Sequence, residues 1–166
     1  GRSSLARGLL PLEDLGAPID VFWLAVPKAY QLELIRGGIR GSRLIVLIDR
    51  GDYFQCAYII AKGGAGAIKA QGIAAFRESV RAVAPDLPAL DEALPDWDAV
   101  RLLTVSLDRL TQWSRPGLLA IGDAAHAMSP VGGIGINLAI ADAVAAANVL
   151  AAPLAGGENV DALLAK

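Results

Sequence analysis

Apolar and polar residues fall into a few repeating patterns along the chain. Residues 21–26 (Val-Phe-Trp-Leu-Ala-Val) form a short apolar run closed by Pro27, which predicts a strand. Residues 28–42 are mixed and carry Gly37, Gly38 and Gly41, the pattern of a loop with at most a short element. Residues 43–48 are continuous and β-branched, as in a buried strand. Asp49-Arg50-Gly51-Asp52 then supplies a tight turn, and residues 53–61 read as the return strand of a hairpin. Arg50-Gly51-Asp52 also spells a cell-adhesion tripeptide, which a hairpin tip accounts for. Residues 66–84 place Ile68, Phe76, Val80 and Val83 at helical spacing with Arg77, Glu78 and Arg81 opposite, predicting one amphipathic helix. Pro85, Pro88 and Pro95 break the next stretch into a loop with short turns. Residues 100–110 alternate, with Leu103, Val105 and Leu107 on one face, and predict a long half-buried strand. After the turn Arg115-Pro116-Gly117, a short buried strand (118–121) runs into Gly122-Asp123. A Gly-rich loop (129–135) follows, then a helix from about Gly135 to Leu150. The change from hairpin strands to strand, loop and helix places a boundary near Ser114–Pro116.

Composition narrows the class. The 166 residues carry 15 Lys+Arg and 17 Asp+Glu, a net charge of −2, so there is no basic field for nucleic acid. A hydrophobic share of 54% against 19% charged excludes disorder. One Cys rules out an internal disulfide and points to a reducing compartment, hence a cytoplasmic location. One His and one Cys cannot build a His/Cys-rich zinc site, and no metal is expected. The mean hydropathy of +0.46 raises the question of a membrane span, with 134–154 as the stretch to consider. Asp142 near its centre opposes that reading and favours an Ala-rich helix packed on a sheet, with no integral membrane span.

The chemistry concentrates in residues 118–137. A buried strand delivers Asp123 to its carboxyl end, where open α/β sheets bind ligands, and a carboxylate there suits a polyol hydroxyl. Gly132, Gly133 and Gly135 let backbone approach a ligand closely. The helix that follows opens with unpaired N–H groups and partial positive charge, which favour an anion. A plain Gly-rich turn capped by Asp123 is the alternative. The ordered combination of strand, Gly-Asp, Pro and Gly-x-Gly-x-Asn is less common and favours the ligand site.

Gly122-Asp123-Ala124-Ala125-His126 through Pro130, Gly132, Gly133, Gly135 and Asn137 resembles the Gly-Asp motif of single-component flavoprotein monooxygenases, the aromatic-hydroxylase type related to 4-hydroxybenzoate hydroxylase. Gly1-Arg2-Ser3-Ser4-Leu5-Ala6-Arg7 is similar to that family's Asp-Gly motif from its second residue onward. The family's first fingerprint, Gly-x-Gly-x-x-Gly, does not occur; Gly133 and Gly135 are followed by Leu138 at the sixth position. The chain therefore reads as the C-terminal part of a longer protein that starts inside a motif, and alone it is expected to bind FAD weakly or not at all.

The resemblance implies an α/β fold, α+β in its middle, in which pieces of an FAD/NAD(P)-binding domain flank a mixed, hairpin-rich β-sheet substrate domain. Its divisions would be 1–16, 17–114 and 115–166. It implies that Asp123 binds the ribityl chain of FAD. The backbone N–H groups of Ile136 and Asn137 would face the pyrimidine end of the flavin, and Pro130 would border the substrate cavity. Arg7 would contribute to FAD and pyridine-nucleotide contacts, a salt bridge being its alternative. His126 takes a structural place near the loop, and Ser129 is a loop serine, not a nucleophile. Tyr53 and Gln55 share one strand face and are candidate substrate contacts; Phe54, Cys56 and Tyr58 occupy the other.

The implied activity is an FAD-dependent, NADH- or NADPH- and O2-using monooxygenase that hydroxylates an aromatic or other electron-rich small molecule through a flavin hydroperoxide. No protein nucleophile is required. The alternatives are a related halogenase or isoprenoid reductase, or an inactive fragment acting as a binding module. Halogenases carry Trp-x-Trp-x-Ile-Pro; Phe22-Trp23-Leu24-Ala25-Val26-Pro27 lacks both tryptophans in register.

Overall fold

Alternating burial along the strands decides which way each side chain faces. The computed structural model describes residues 8–28, 30, 35–130 and 133–164. The chain folds as two compact units: Pro18–Val105, and the residues up to Ala17 together with those from Ser106 onward.

The Pro18–Val105 unit is built on a five-stranded antiparallel sheet. Its strands are β2 (Ile19–Pro27), β3 (Ile35–Arg40), β4 (Arg43–Asp49), β5 (Tyr53–Ala61) and β6 (Arg101–Leu103), in the order β3-β4-β5-β2-β6. In β5, Phe54, Cys56, Tyr58 and Ile60 face a core shared with Phe22, Leu24 and Val26 of β2 and Ile45 and Leu47 of β4. That face is covered by α1 (Ala65–Ala70), α2 (Ile73–Val83) and the short α3 (Leu90–Ala93). Phe76 of α2 packs edge-on against Phe22 and Tyr58, with ring centroids 5.5 and 5.3 Å apart. Each such pair adds about 1 kcal/mol beyond area burial.

Three expectations change. The helix over 66–84 is two helices, broken at Gly72, where the backbone leaves the helical region (φ 87°). Residues 28–42 are not all loop, because 35–40 form β3. One of the glycines that hid this strand has a packing reason: a Cβ on Gly38 would lie 2.7 Å from the carbonyl oxygen of Val83, at the end of α2. The strand over 100–110 is two strands in different sheets, β6 and β7 (Asp108–Leu110). Between them the Val105 N–H donates to Asp20 Oδ1 at 3.0 Å, so it is engaged by a side chain and not by a ladder.

Asp20 is the polar centre of this unit, at 3% exposure. Its carboxylate accepts from Gly63 N–H (2.9 Å), Val105 N–H (3.0 Å) and Lys62 Nζ (2.9 Å). Lys62 also donates to the Val105 carbonyl. One carboxylate thus ties the start of β2, the turn after β5 and the chain leaving β6.

In the second unit, β7 lies between β1 (Leu12–Asp14) and β10 (His126–Ala127), and β8 (Ser114–Arg115) pairs with β9 (Leu118–Leu119). Its long element is α4 (Gly135–Ala155). The pairing of β7 with β1 puts the 106–114 stretch in this unit, so the change-over falls at Val105–Ser106 and not near Ser114–Pro116.

Gly63 N–H bonding holds the Asp20 carboxyl below its ordinary 3.8, against burial that would raise it, with Lys62 and Val105 adding to the lowering. A depressed folded-state pKa contributes stability above the unfolded value and loses it as pH falls through the folded one. Asp20→Asn is expected to cost about 3 kcal/mol at neutral pH. That cost shrinks as pH falls below the ordinary carboxylate value and through the lowered folded-state one, where the wild-type carboxyl itself gains a proton. Urea unfolding at neutral and acid pH measures both; a difference that does not vary with pH would contradict the assignment.

Candidate functional site

The site begins just beyond β9. Ile121 leads into a 3-10 turn over Gly122–Ala124 that sets Asp123 on the surface. Ala125 N–H closes the turn on the Gly122 carbonyl at 2.8 Å, and the Ala125 carbonyl accepts from Leu110 N–H of β7 at 2.6 Å. Gly122 sits at φ 57°, and a Cβ there would lie 2.9 Å from the Ala139 methyl on α4. Glycine is required twice at this position, for the backbone angle and for the close approach of the helix.

Asp142, whose charge in the sequence speaks only against a membrane span, completes the arrangement. From α4 it accepts at Oδ2 from Gly122 N–H (2.9 Å) and lies 2.7 Å from His126 Nε2. Since a carboxylate can only accept, the imidazole proton sits on Nε2. The His126 ring packs beside Trp113, centroids 5.3 Å apart. Partial burial would raise the Asp142 carboxyl, but the bonds from Gly122 and His126 prevail and hold it below its ordinary 3.8. His126 thus has the structural place expected of it. The one signal in the sequence for Asp142 is that it is the sole charged residue between 135 and 155.

The first turn of α4 is open. Ile134, its N-cap, makes no side-chain cap, and no acidic residue lies in the first turn. The N–H groups of Gly135, Ile136 and Asn137 have no intrahelical acceptor, and they carry the positive end of a 21-residue helix. Ile136 is 75% exposed, and a Cβ on Gly133 or Gly135 would meet nothing within 4 Å. Pro130 is exposed and its carbonyl accepts from Gly133 N–H at 3.1 Å. Arg7 and Gly132 lie outside the described residues, as does the rest of the Gly1–Arg7 motif.

This donor set suits the cofactor named by the resemblance: N–H groups without an intrahelical acceptor for an electron-rich ring edge, a surface carboxylate for hydroxyls, and glycine at 133 and 135 beside them. A separate apolar cleft of about 500 Å³ lies behind the turn, lined by Trp113, Leu119, Ile121, Ala146, Val149 and other residues. None of the expected cofactor residues among the described ones lines it.

In the sheet unit, Phe54, Cys56 and Tyr58 belong to the core, and Tyr58 also lines a cleft with Phe76 and Ser79. Burial pushes the Cys56 thiol up to about 12, so it is a packing group and not a nucleophile. Tyr53 and Gln55 are on the opposite face, exposed and half-buried respectively. No group of three or more His, Cys, Asp or Glu that could hold a metal occurs among the described residues.

Two substitutions test the Asp142 link. Asp142→Ala is expected to lose about 2 kcal/mol, the cost of hydrogen bonds to a charged group. Gly122→Ala combines a left-handed backbone penalty of about 1–2 kcal/mol with the contact on Ala139. Urea unfolding of the complete gene product reads both; wild-type stability in either variant would contradict the link.

The family model of the FAD binding domain matches residues 19–166. The chain is 37% identical over 134 residues to 6-methylpretetramide 4-monooxygenase of Streptomyces rimosus, covering 79% of this chain and 32% of that protein. It thus spans about a third of the length of that curated relative. Among solved structures, the flavin-dependent halogenase CmlS superposes with a TM-score of 0.70 at 17% identity, covering 98% of this chain and 30% of that one. PqsL, a probable FAD-dependent monooxygenase from Pseudomonas aeruginosa, does so with 0.70 at 20% identity, covering 92% and 43%. At these identities the two structures speak to the fold alone. With a family match that covers most of its length, the chain belongs to the FAD binding domain family.

Proposed function

We propose that the complete gene product is an FAD-dependent monooxygenase that uses NADH or NADPH and O2 to hydroxylate an aromatic small molecule. The observation that carries this reading is the Gly122-Asp123 turn tied by Asp142 to α4, a helix whose first turn has no side-chain cap. The identity to a monooxygenase over four-fifths of the chain supports the reaction class. The halogenase CmlS and the monooxygenase PqsL superpose equally well, so fold similarity does not separate these reactions. In place of the halogenase Trp-x-Trp-x-Ile-Pro, β2 carries Phe22, Leu24 and Val26, all committed to the core. We place the protein in the cytoplasm, where its single thiol, buried in that core, stays reduced.

Bound FAD would supply the redox chemistry, taking hydride from the pyridine nucleotide and activating O2. The protein's part is to bind, orient and stabilise charge. Asp123 would accept hydrogen bonds from ribityl hydroxyls. The N–H groups of Ile136 and Asn137 would face the pyrimidine edge of the ring. A helix N-terminus favours negative charge there by about 0.3–1 kcal/mol on the surface, more when ligand excludes water. Gly133 and Gly135 keep that approach clear. Gly132 would do the same, Pro130 would border the substrate space, and Arg7 would act on the cofactor's nucleotide side. Asp142 would touch no cofactor atom; it positions the helix end.

The complete gene product is expected to purify with flavin absorption. Asp123→Ala should weaken FAD binding about 10- to 100-fold, matching the loss of charge-assisted hydrogen bonds. Flavin fluorescence titration of the stripped protein measures this. A product that takes up no flavin, or an Asp123→Ala protein with unchanged affinity, would overturn the reading. A halogenated product formed only with added halide would favour the halogenase alternative.

A further inference from the structure

On the helix-covered side of the sheet, opposite Tyr53 and Gln55, the Pro18–Val105 unit holds a cleft of about 620 Å³. It lies at the start of β4 and the end of β5, against α1 and α2. That volume is in the range of small-molecule sites. Its inner end is closed by the buried side chains of Tyr58 and Phe76. The Tyr58 hydroxyl is bonded to Ser79 Oγ of α2, so the inner polar pair is satisfied within the protein. Nearer the mouth the walls are apolar: Ile68 of α1 is half-buried and Ala75 of α2 is exposed.

One lining residue is out of keeping with the rest. Side chains alternate along β4, so Arg43 shares a face with Ile45 and Leu47, both in the core. The core stops at Ile45, and an exposed guanidinium takes the next place on that face, at the rim of the cleft. Arg43 has no hydrogen-bond or ion-pair partner among the described residues. Arg36, Arg40, Arg77 and Arg81, around the same helices, all have protein partners. The other charged residue of the cleft, Glu78, is paired with Arg81. The cleft thus carries one cation without a counter-ion beside an apolar wall. A guanidinium holds a carboxylate through two parallel N–H bonds, and such charge-assisted pairs are the strong ones. A dianion such as a phosphate monoester would bring a second negative charge into a cleft that already holds Glu78.

We propose that this cleft is a second small-molecule site, which takes a hydrophobic monocarboxylate. The carboxylate pairs with Arg43, and the alkyl body lies along Ile68 and Ala75 over the closed inner end. The site shares no residue with the Gly122-Asp123 turn or with the start of α4, and it does not rest on the monooxygenase reading.

The test uses the complete gene product and decanoate below its micellar range, with decanol as the uncharged chain of the same length. Binding is read by calorimetry, independent of turnover. Decanoate is expected to bind with a stoichiometry of one per chain, and decanol about tenfold more weakly, the value of one charge-assisted hydrogen bond. Arg43→Met keeps the bulk of the stem and removes the charge; it is expected to weaken decanoate about tenfold and leave decanol unchanged. Ala75→Trp, at an exposed helix position, fills the cleft and is expected to abolish binding of both. Both variants should keep the wild-type Tm, because neither position is buried. A wild-type protein that binds no decanoate, or binds decanol as tightly, would overturn the proposal. So would decanoate binding that is indifferent to Arg43→Met, or that survives Ala75→Trp and therefore belongs to another site.

Discussion

The placement of α4 against the Gly-Asp turn depends on one carboxylate. None of the helix's 21 residues is buried, and its side chains are mostly apolar, so it has little packing to define its position. Asp142 provides the definition: a half-buried charge that needs donors and finds them in the Gly122 N–H and the His126 ring. Gly122 makes the same approach sterically possible, since any side chain there would meet Ala139. Electrostatic need and steric allowance converge on two residues twenty positions apart. The same contact orients the first turn of α4, whose N–H groups have no intrahelical acceptor.

The Pro18–Val105 unit uses the same device for a different end. Asp20 is removed from water and gathers two backbone N–H groups and an ammonium from two other segments. The surrounding core supplies most of the stability through burial of its aliphatic and aromatic side chains, which is not directional. Asp20 supplies direction: it specifies where the chain enters and leaves the sheet. In both units a carboxylate with satisfied partners sets geometry that hydrophobic packing alone would leave loose.

Much of this is legible along the chain, and the failures have definite causes. β2, β4 and β5 are readable because their alternation or continuous β-branching reflects real burial. β3 is hidden because Gly37 and Gly38 carry a loop signal locally, while Gly38 is dictated by the approach of α2. The 100–110 segment alternates throughout, but alternation cannot say which partner each end pairs with, and its two ends join different sheets. The Gly-Asp turn is legible as a motif because glycine, aspartate and proline constrain backbone locally. Its support by Asp142 is not, since a lone Asp in an Ala-rich helix has no local signature of its partner.

By itself the sequence determined β2, β4 and β5, the Gly122-Asp123 turn and the glycine-rich start of α4, because periodicity, β-branching and glycine act within a few residues. It also carried the likeness to flavoprotein monooxygenases, since motif spacing survives in linear order. Only the tertiary structure decided which side of β5 packs under the helices and that Asp20 and Asp142 are the polar hubs. Those are pairings between residues distant in sequence or side chains of ambiguous orientation. Their energy depends on geometry that no local pattern encodes.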